Sequence, residues 1–374
     1  MGIGNELIGD IEQLLTNNVI TSKGLFRFSK NYLNNYCSIF EDELSKFYHN
    51  LSSLLLPSAS IGLLTILKAL ELSDGDEILI PSFSWKANYA AINLSGCLIR
   101  FIDIDENLEI NIETIKKNLS PKARAVLIPH LMGRAQKNII EISSFCRNNN
   151  LFLIEDISQS FGVKIGMRMA GSFGDASYSS LNHHKILSTG DGGFVLIKDK
   201  TVFNRVMTLH DQGCHIAQGK RVIPANSGFG SSLRVSNLVG AVAVAQLSKF
   251  FLIKTKIWNC YNQIRSIMSE YLELEELMPN EGDIPFFYLF KNHSQSIVKL
   301  PSLRESGWHS VENIETFPTA QRSKLLKNYI HLSNVYSIGT GLIDEYYATP
   351  IGLNICFNNK DVELLKNNIK ESIL

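Results

Sequence analysis

Short apolar runs separated by polar turns dominate the first half of the chain. Seven of these runs, each too brief for a helix, predict strands at residues 51–56, 77–80, 98–102, 125–128, 151–154, 176–181 and 194–197. Runs that are apolar almost throughout, rather than alternating with polar residues, are typical of strands buried on both faces of a parallel sheet. We therefore expect these segments to form the interior of the fold.

Helical patterns occupy most of the intervals between the strands, and two more precede the first strand, beginning at Leu7 and at Phe40. This alternation predicts an α/β fold with a mainly parallel sheet covered by helices. We expect a large domain over residues 1–250 and a smaller α+β domain over residues 251–374. The smaller domain has predicted strands near 296–300 and 351–357 and a closing helix at 361–374.

Composition excludes several classes of protein. The chain of 374 residues has 36 basic and 36 acidic residues, so its charge gives no reason to expect binding to nucleic acid or to an anionic membrane. No apolar run approaches the ~20 residues of a membrane span, and the amino terminus does not resemble a signal peptide. Six scattered cysteines without a C-x-x-C pair predict reduced thiols, no metal site and a cytoplasmic location.

An acid and an amine follow two of the predicted strands. Asp156 lies at the carboxyl end of the strand at 151–154, where open α/β sheets bind ligands, and Lys185 follows the strand at 176–181. Pyridoxal phosphate requires a lysine that binds its aldehyde and a carboxylate that keeps its ring nitrogen protonated. The same lysine can later transfer a proton. Taken singly, such an aspartate is more often a turn residue and such a lysine is usually solvated.

Small residues mark the junction between the first strand and its helix. Ser58, Ala59 and Ser60 lie where unpaired backbone N–H groups and the helix dipole favour an anion such as phosphate. A serine at this place can equally be only the cap of the helix. The residues themselves leave both interpretations open.

Four segments in a fixed order carry a family resemblance. They are Glu155-Asp156-x-x-Gln159, Gly171-Ser172-Phe173-Gly174-Asp175, Ser180-x-x-x-x-Lys185 and Gly190-Asp191-Gly192-Gly193. Together they resemble the DegT/DnrJ/EryC1/StrS sugar aminotransferases, which are fold-type I pyridoxal-phosphate enzymes, and the resemblance extends from about residue 40 to about residue 247.

The resemblance implies roles for individual residues. Lys185 and Asp156 are the expected catalytic residues, and Gln159 is the expected donor to the phenolic oxygen of the cofactor. The expected phosphate ligands are Ala59, Ser60 and Ser180.

Two further roles follow from the same resemblance. Trp85 is expected to stack on the cofactor ring. Ser232 replaces a family asparagine that reaches across a dimer interface to the cofactor phosphate of the neighbouring subunit, and its hydroxyl has a shorter reach.

The implied activity is transfer of an amino group from glutamate or glutamine to a keto-sugar, expected to be nucleotide-linked, by a homodimer with shared active sites. The alternatives are amination of a cyclitol ketone and a sugar dehydratase of the same fold, in which histidine replaces the lysine. Lys185 argues against the dehydratase, and the lysine–aspartate pair argues against a non-catalytic binding protein.

Three histidines are left out of the expected catalytic set. The resemblance makes His130 architectural. His183 and His184 are not expected to bind one metal ion, because adjacent residues in an extended loop point to opposite sides.

Overall fold

The computed structural model describes residues 7–28, 35–105, 107–217, 220–223, 228–271, 275–285, 287–291, 329–330, 346–350 and 366–367. The strands predicted at 296–300 and 351–357 lie outside these ranges. The closing helix predicted at 361–374 also lies outside them, except for residues 366–367, which are helical. The division into two domains after residue 250 therefore stays a prediction.

The structure has helices before the first strand and between the strands, where the helical patterns predict them. They are α1 (Asp10–Thr21), α2 (Tyr36–Phe47), α3 (Ala59–Ala69), α4 (Lys86–Ser95), α5 (Ile112–Lys117), α6 (Ile139–Asn148), α7 (Lys200–His210), α8 (Asn237–Ser248) and α9 (Phe250–Tyr271). In these ranges no single helix is long and apolar enough to cross a membrane. Two consecutive helical segments, Asn237–Ser248 and Phe250–Ile267, are long and apolar enough for a membrane span only when taken together, and they are bent by 59° relative to each other.

Seven of the strands correspond closely to the apolar runs, and further strands occur outside those runs. The strands are β1 (Ser52–Leu56), β2 (Glu77–Pro81), β3 (Leu98–Ile102), β4 (Ala123–Pro129), β5 (Phe152–Asp156), β6 (Lys164–Ile165), β7 (Arg168–Met169), β8 (Ala176–Ser180), β9 (Gly193–Ile197), β10 (His215–Ala217), β11 (Lys220–Val222), β12 (Glu275–Glu276), β13 (Phe287–Lys291), β14 (Tyr329–Ile330) and β15 (Tyr346–Pro350).

One large sheet organises the molecule. Its eight strands follow the order β1-β9-β8-β5-β4-β2-β3-β14. The pairings from β8 to β14 are parallel, and β9 is antiparallel to both β8 and β1. The prediction of a mainly parallel sheet is confirmed.

Hydrophobic side chains bury both faces of this sheet. Leu54 and Leu56 of β1 pack into a cluster with Leu63 and Ile66 of α3. Leu55 points to the opposite face, where it joins a cluster that includes Phe40 of α2. The strand lacks polar alternation because both of its faces are covered.

The carboxyl ends of the parallel strands meet at one edge of the sheet. Pro129 at the end of β4 is paired with Asp156 at the end of β5, and Asp156 is in turn paired with Tyr178 of β8. At this same edge, Gly193 begins β9 opposite both Leu56 and Ser180. Helix α3 starts three residues after Leu56, so its amino terminus lies beside these strand ends.

Gly193 permits the close approach of α3 to the sheet. A Cβ atom at this position would lie 2.4 Å from the carbonyl carbon of Ser58 and 2.5 Å from the backbone nitrogen of Ala59. Both are backbone atoms, so any side chain would have to displace the start of the helix.

We expect the Gly193→Ala substitution to lower the free energy of unfolding by about 1–3 kcal/mol, because overpacking displaces backbone at the α3 terminus. Denaturant unfolding measures this change. Gly228→Ala is the matched control, because a Cβ atom there has no neighbour within 4 Å. Equal stability of the two variants would contradict the proposed close packing.

Candidate active site

A cavity of about 140 Å³ lies at the carboxyl edge of the sheet. Every predicted site residue except Ser232 lines it: Ala59, Ser60, Trp85, Asp156, Gln159, Ser180 and Lys185. The cavity is completed by Ser58, Ala87, Asn88, Ser158, Asn182, Asp191 and Gly192. Residues more than a hundred positions apart in sequence are thus brought together by the parallel strand ends.

Asp156 is buried, and hydrogen bonds fix both of its oxygens. Its Oδ1 accepts the backbone N–H of Ser158 at 2.9 Å, and its Oδ2 accepts the side-chain amide of Asn88 at 2.9 Å. The hydroxyl of Tyr178 donates to Oδ1 of Asn88 at 2.9 Å, which turns the amide nitrogen towards the carboxylate. The carboxylate therefore has a defined orientation in the cavity.

Lys185 lies in the turn that follows β8, and its backbone N–H donates to the carbonyl of Asn182 at 3.0 Å. Burial lowers the pKa of the Lys185 amine, and the charge of Asp156 acts in the opposite direction. A lowered pKa increases the fraction of neutral amine, which is the form that attacks a carbonyl carbon.

Gln159 presents a donor to the cavity. Its Oε1 accepts the backbone N–H of Met132 at 2.8 Å. This bond assigns the orientation of the amide, so the NH₂ group is the part left for a ligand. An amide NH₂ can donate to a phenolate oxygen, as the family resemblance implies for this residue.

The start of α3 has the features of an anion site. The Oγ atom of Ser58 accepts the N–H of Ile61 at 3.2 Å, so Ser58 is the cap of the helix. The backbone N–H groups of Ala59 and Ser60 belong to the first helical turn, which has no intrahelical acceptor for them. A phosphate group can bind there, assisted by the helix dipole and the nearby hydroxyl of Ser180.

Trp85 immediately precedes α4 and is 43% exposed. Its position at the cavity wall allows a planar ligand to stack on the indole. Asn88 is three residues further along, so the start of one helix supplies both an aromatic wall and the amide that holds Asp156.

Sequence reasoning missed Asn88 and Tyr178. Asn88 could have been found from its spacing, because residues three apart on a helix lie on the same face. Tyr178 could have been found from the period of two that places it on the same face of β8 as Ser180. Neither spacing reveals that the two side chains are hydrogen-bonded to each other.

His130 is fully buried behind the cavity. Its Nδ1 accepts the N–H of Gln136 at 3.0 Å, so its Nε2 carries the proton and donates to Glu155 at 2.9 Å. The carboxylate of Glu155 also accepts the backbone N–H groups of Gly171, Phe173 and Gly174. This network links the ends of β4 and β5 to the loop before β8.

The expectation that His183 and His184 point to opposite sides is wrong. Their ring centroids are 3.7 Å apart, because the two residues lie in a turn rather than in an extended loop. No group of three or more candidate metal ligands occurs in the part of the chain that the structure describes.

Ser232 is exposed and does not line this cavity. It forms a bridge with Asp211, which is buried and paired with Arg221 and Arg234. Its expected contact with the cofactor phosphate of a partner subunit stays a prediction.

Fold and site together define a transferase that uses pyridoxal 5′-phosphate. The residues fit this group: an amine and a carboxylate share one cavity with a helix terminus suited to phosphate. The chain belongs to the DegT/DnrJ/EryC1/StrS aminotransferase family, whose model matches residues 10–293.

Individual relatives agree with this assignment. GDP-perosamine synthase of Escherichia coli O157:H7 is 26% identical over 362 residues, which cover 87% of this chain and 94% of the synthase.

Two solved structures share the fold. Helicobacter pylori PseC, an aminotransferase involved in the biosynthesis of pseudoaminic acid, has a TM-score of 0.82 at 18% identity, with 98% of this chain and 97% of PseC covered. The E. coli GDP-4-keto-6-deoxy-D-mannose-3-dehydratase with bound hydrated PLP has a TM-score of 0.79 at 20% identity, with 98% of each chain covered.

We expect the Asn88→Ala substitution to lower kcat about 10- to 100-fold, because a hydrogen bond to a charged group contributes about 1.5–3 kcal/mol. Ser84→Ala is the control. Asn88 also donates to the Ser84 hydroxyl at 3.0 Å, and loss of that bond leaves the contact with Asp156 intact. Steady-state kinetics with saturating cofactor compares the two, and equal rates would contradict the assigned role of Asn88.

Because the pKa of the Lys185 amine is lowered, we expect the midpoint of its titration to lie below the ordinary lysine pKa of 10.5. Asp156→Asn should lower this midpoint further, because it removes the charge that raises the pKa of the amine. The pH dependence of reductive methylation of Lys185 in cofactor-free protein, followed by peptide mass spectrometry, measures the midpoint. An unchanged or raised midpoint in Asp156→Asn would refute the coupling.

Proposed function

We propose that this chain is an aminotransferase that moves an amino group from glutamate or glutamine to a keto-sugar in amino-sugar biosynthesis. We further propose that the sugar is nucleotide-linked. The observation that carries the proposal is the common cavity of Lys185 and Asp156. The similarity to a GDP-perosamine synthase supports a nucleotide sugar as the acceptor.

The bound cofactor supplies an aldehyde that reacts with amines and a ring that withdraws electrons. Lys185 would hold the cofactor through its aldehyde and would move the proton that transamination requires. Asp156 holds the ring nitrogen in its protonated form, and Gln159 donates to the phenolic oxygen. Trp85 excludes water from one face of the ring.

The phosphate is held at the start of α3, by Ala59, Ser60 and Ser180. In this proposal the enzyme is a homodimer with shared active sites, and Ser232 of each subunit reaches the phosphate bound by its partner. Exposed apolar side chains on and near α1, including Leu14, Ile20 and Phe26, support an interface with a second copy.

A cytoplasmic location is proposed with the same activity. The support is that Cys37, Cys97, Cys146, Cys214 and Cys260 are buried free thiols, and such thiols are usual where the environment is reducing.

The dehydratase is the second candidate, because the structure of an E. coli sugar dehydratase shares this fold and His184 adjoins the lysine. Product analysis separates the two reactions, since amination adds nitrogen to the sugar and dehydration removes water. The presence of Lys185 favours amination.

The absorbance spectrum tests the proposal directly. We expect an absorbance band at about 420 nm that is lost on adding glutamate or glutamine and is absent from Lys185→Ala. Lys164→Ala is the control, because Lys164 lies outside the cavity. A colourless protein that takes up no cofactor, or a Lys185→Ala variant that retains the band, would refute the assignment.

A further inference from the structure

Buried hydrogen bonds connect helix α1 to the loop that carries Lys185. Gln246, near the end of α8, is fully buried. Its Oε1 accepts the backbone N–H of Ser188 at 3.2 Å, and its Nε2 donates to Oε1 of Glu12 at 2.8 Å. Glu12 belongs to α1, so a single amide joins two segments that are far apart in sequence.

Hydrogen bonds within the lysine loop hold its shape. Leu181 accepts the N–H of Thr189 at 2.8 Å, and Gly192 accepts the N–H of Leu181 at 2.9 Å. Ser188 is fully buried, and its Oγ accepts the N–H of Gly190 at 3.1 Å. The bond from Ser188 to Gln246 connects this loop to helix α8, and Ile186 and Leu187 of the loop pack in the same hydrophobic cluster as Ala243 of that helix.

Glu12 determines which way the amide of Gln246 points. The carboxylate is buried. It forms an ion pair with the ammonium of Lys249 and accepts a hydrogen bond from the backbone N–H of Gly9 at 3.0 Å. A carboxylate can only accept hydrogen bonds, so the NH₂ group of Gln246 must face it. The amide oxygen is then directed to the N–H of Ser188. With the amide reversed, two donors would meet at Ser188.

The surroundings of Glu12 keep its carboxyl group ionised, so that it can only accept hydrogen bonds. Burial alone would raise the pKa of Glu12, but hydrogen bonds from Lys249, Gln246 and Gly9 lower it below its ordinary value. The carboxylate is thus charged over the pH range in which the enzyme is expected to work. Neither Glu12 nor Gln246 lines the cavity, so their effect on chemistry must be indirect.

We propose that Gln246 is a positioning residue for Lys185, and that Glu12 holds the Gln246 amide in the orientation this requires. Helix α1 is then part of the support of the active site. The inference rests on the proposed role of Lys185 as the residue that binds the cofactor.

Gln246→Met tests the proposal, because it keeps the length of the side chain and removes both hydrogen bonds. Three results are expected. The amide of Ser188 exchanges hydrogen faster, within a peptide covering residues 181–192. The pH midpoint of the absorbance at about 420 nm shifts by about 0.5 unit or more. The value of kcat falls by up to about 100-fold while KM changes little, because a small misplacement of a reacting group is costly.

Asn237→Leu is the matched control. Asn237 is also a fully buried amide on α8, and it also ties α8 to the amino-terminal segment, through the carbonyl of Gly24 at 2.9 Å and the N–H of Cys37 at 3.3 Å. It should lower thermal stability, as Gln246→Met does, but leave the exchange at Ser188 and the pH midpoint unchanged. A merely structural role for Gln246 would give the two variants the same behaviour, and this result would overturn the proposal.

Glu12→Leu tests the second part of the proposal, that Glu12 orients the amide of Gln246. Alone it should reproduce most of the midpoint shift, and in the Gln246→Met background it should add nothing, because the two residues act in series. Additive effects would overturn the role of Glu12. Hydrogen exchange at Ser188 needs no cofactor, so it tests the connection even if the wild-type protein takes up no pyridoxal phosphate and the proposed function fails.

Discussion

A half-buried lysine amine and a buried carboxylate that line the same cavity are the constraint on which the site depends. Burial lowers the pKa of the Lys185 amine, and Asp156 partly restores it. This balance requires both groups to have little solvent around them and to be held at a defined separation. The surrounding structure provides both conditions, because Asp156 is the last residue of β5 and Lys185 follows β8, the neighbouring strand of the same sheet.

The groups that hold Asp156 and Lys185 come from different layers of the fold. Asn88 on α4 and Tyr178 on β8 orient the aspartate from one side of the sheet. Gln246 on α8 contacts the lysine loop from the helices that cover the other side. Gly193 lets α3 begin close to the same strand ends. The site is therefore assembled where the two helical layers meet the carboxyl edge of the sheet.

Much of this arrangement is predictable from the chain. The seven apolar runs predict the seven longer strands of the sheet to within a few residues, because a strand buried on both faces consists almost entirely of apolar residues. The order of acid, amide, serine and lysine carries the family resemblance, and that resemblance implies the seven predicted residues that line the cavity. The hydrogen-bond partners are not predictable, since Glu12 and Gln246 are 234 positions apart and no local spacing relates them. The turn at His183 and His184 is not predictable from the adjacent polar residues, which are equally compatible with an extended loop.

Reduction with borohydride tests the central claim most directly, because it makes the bond between the cofactor and its lysine permanent. Protein loaded with pyridoxal phosphate, reduced, digested and analysed by peptide mass spectrometry should carry one modified lysine, and that lysine should be Lys185. Modification of a different lysine, or none at all, would contradict the account of this site.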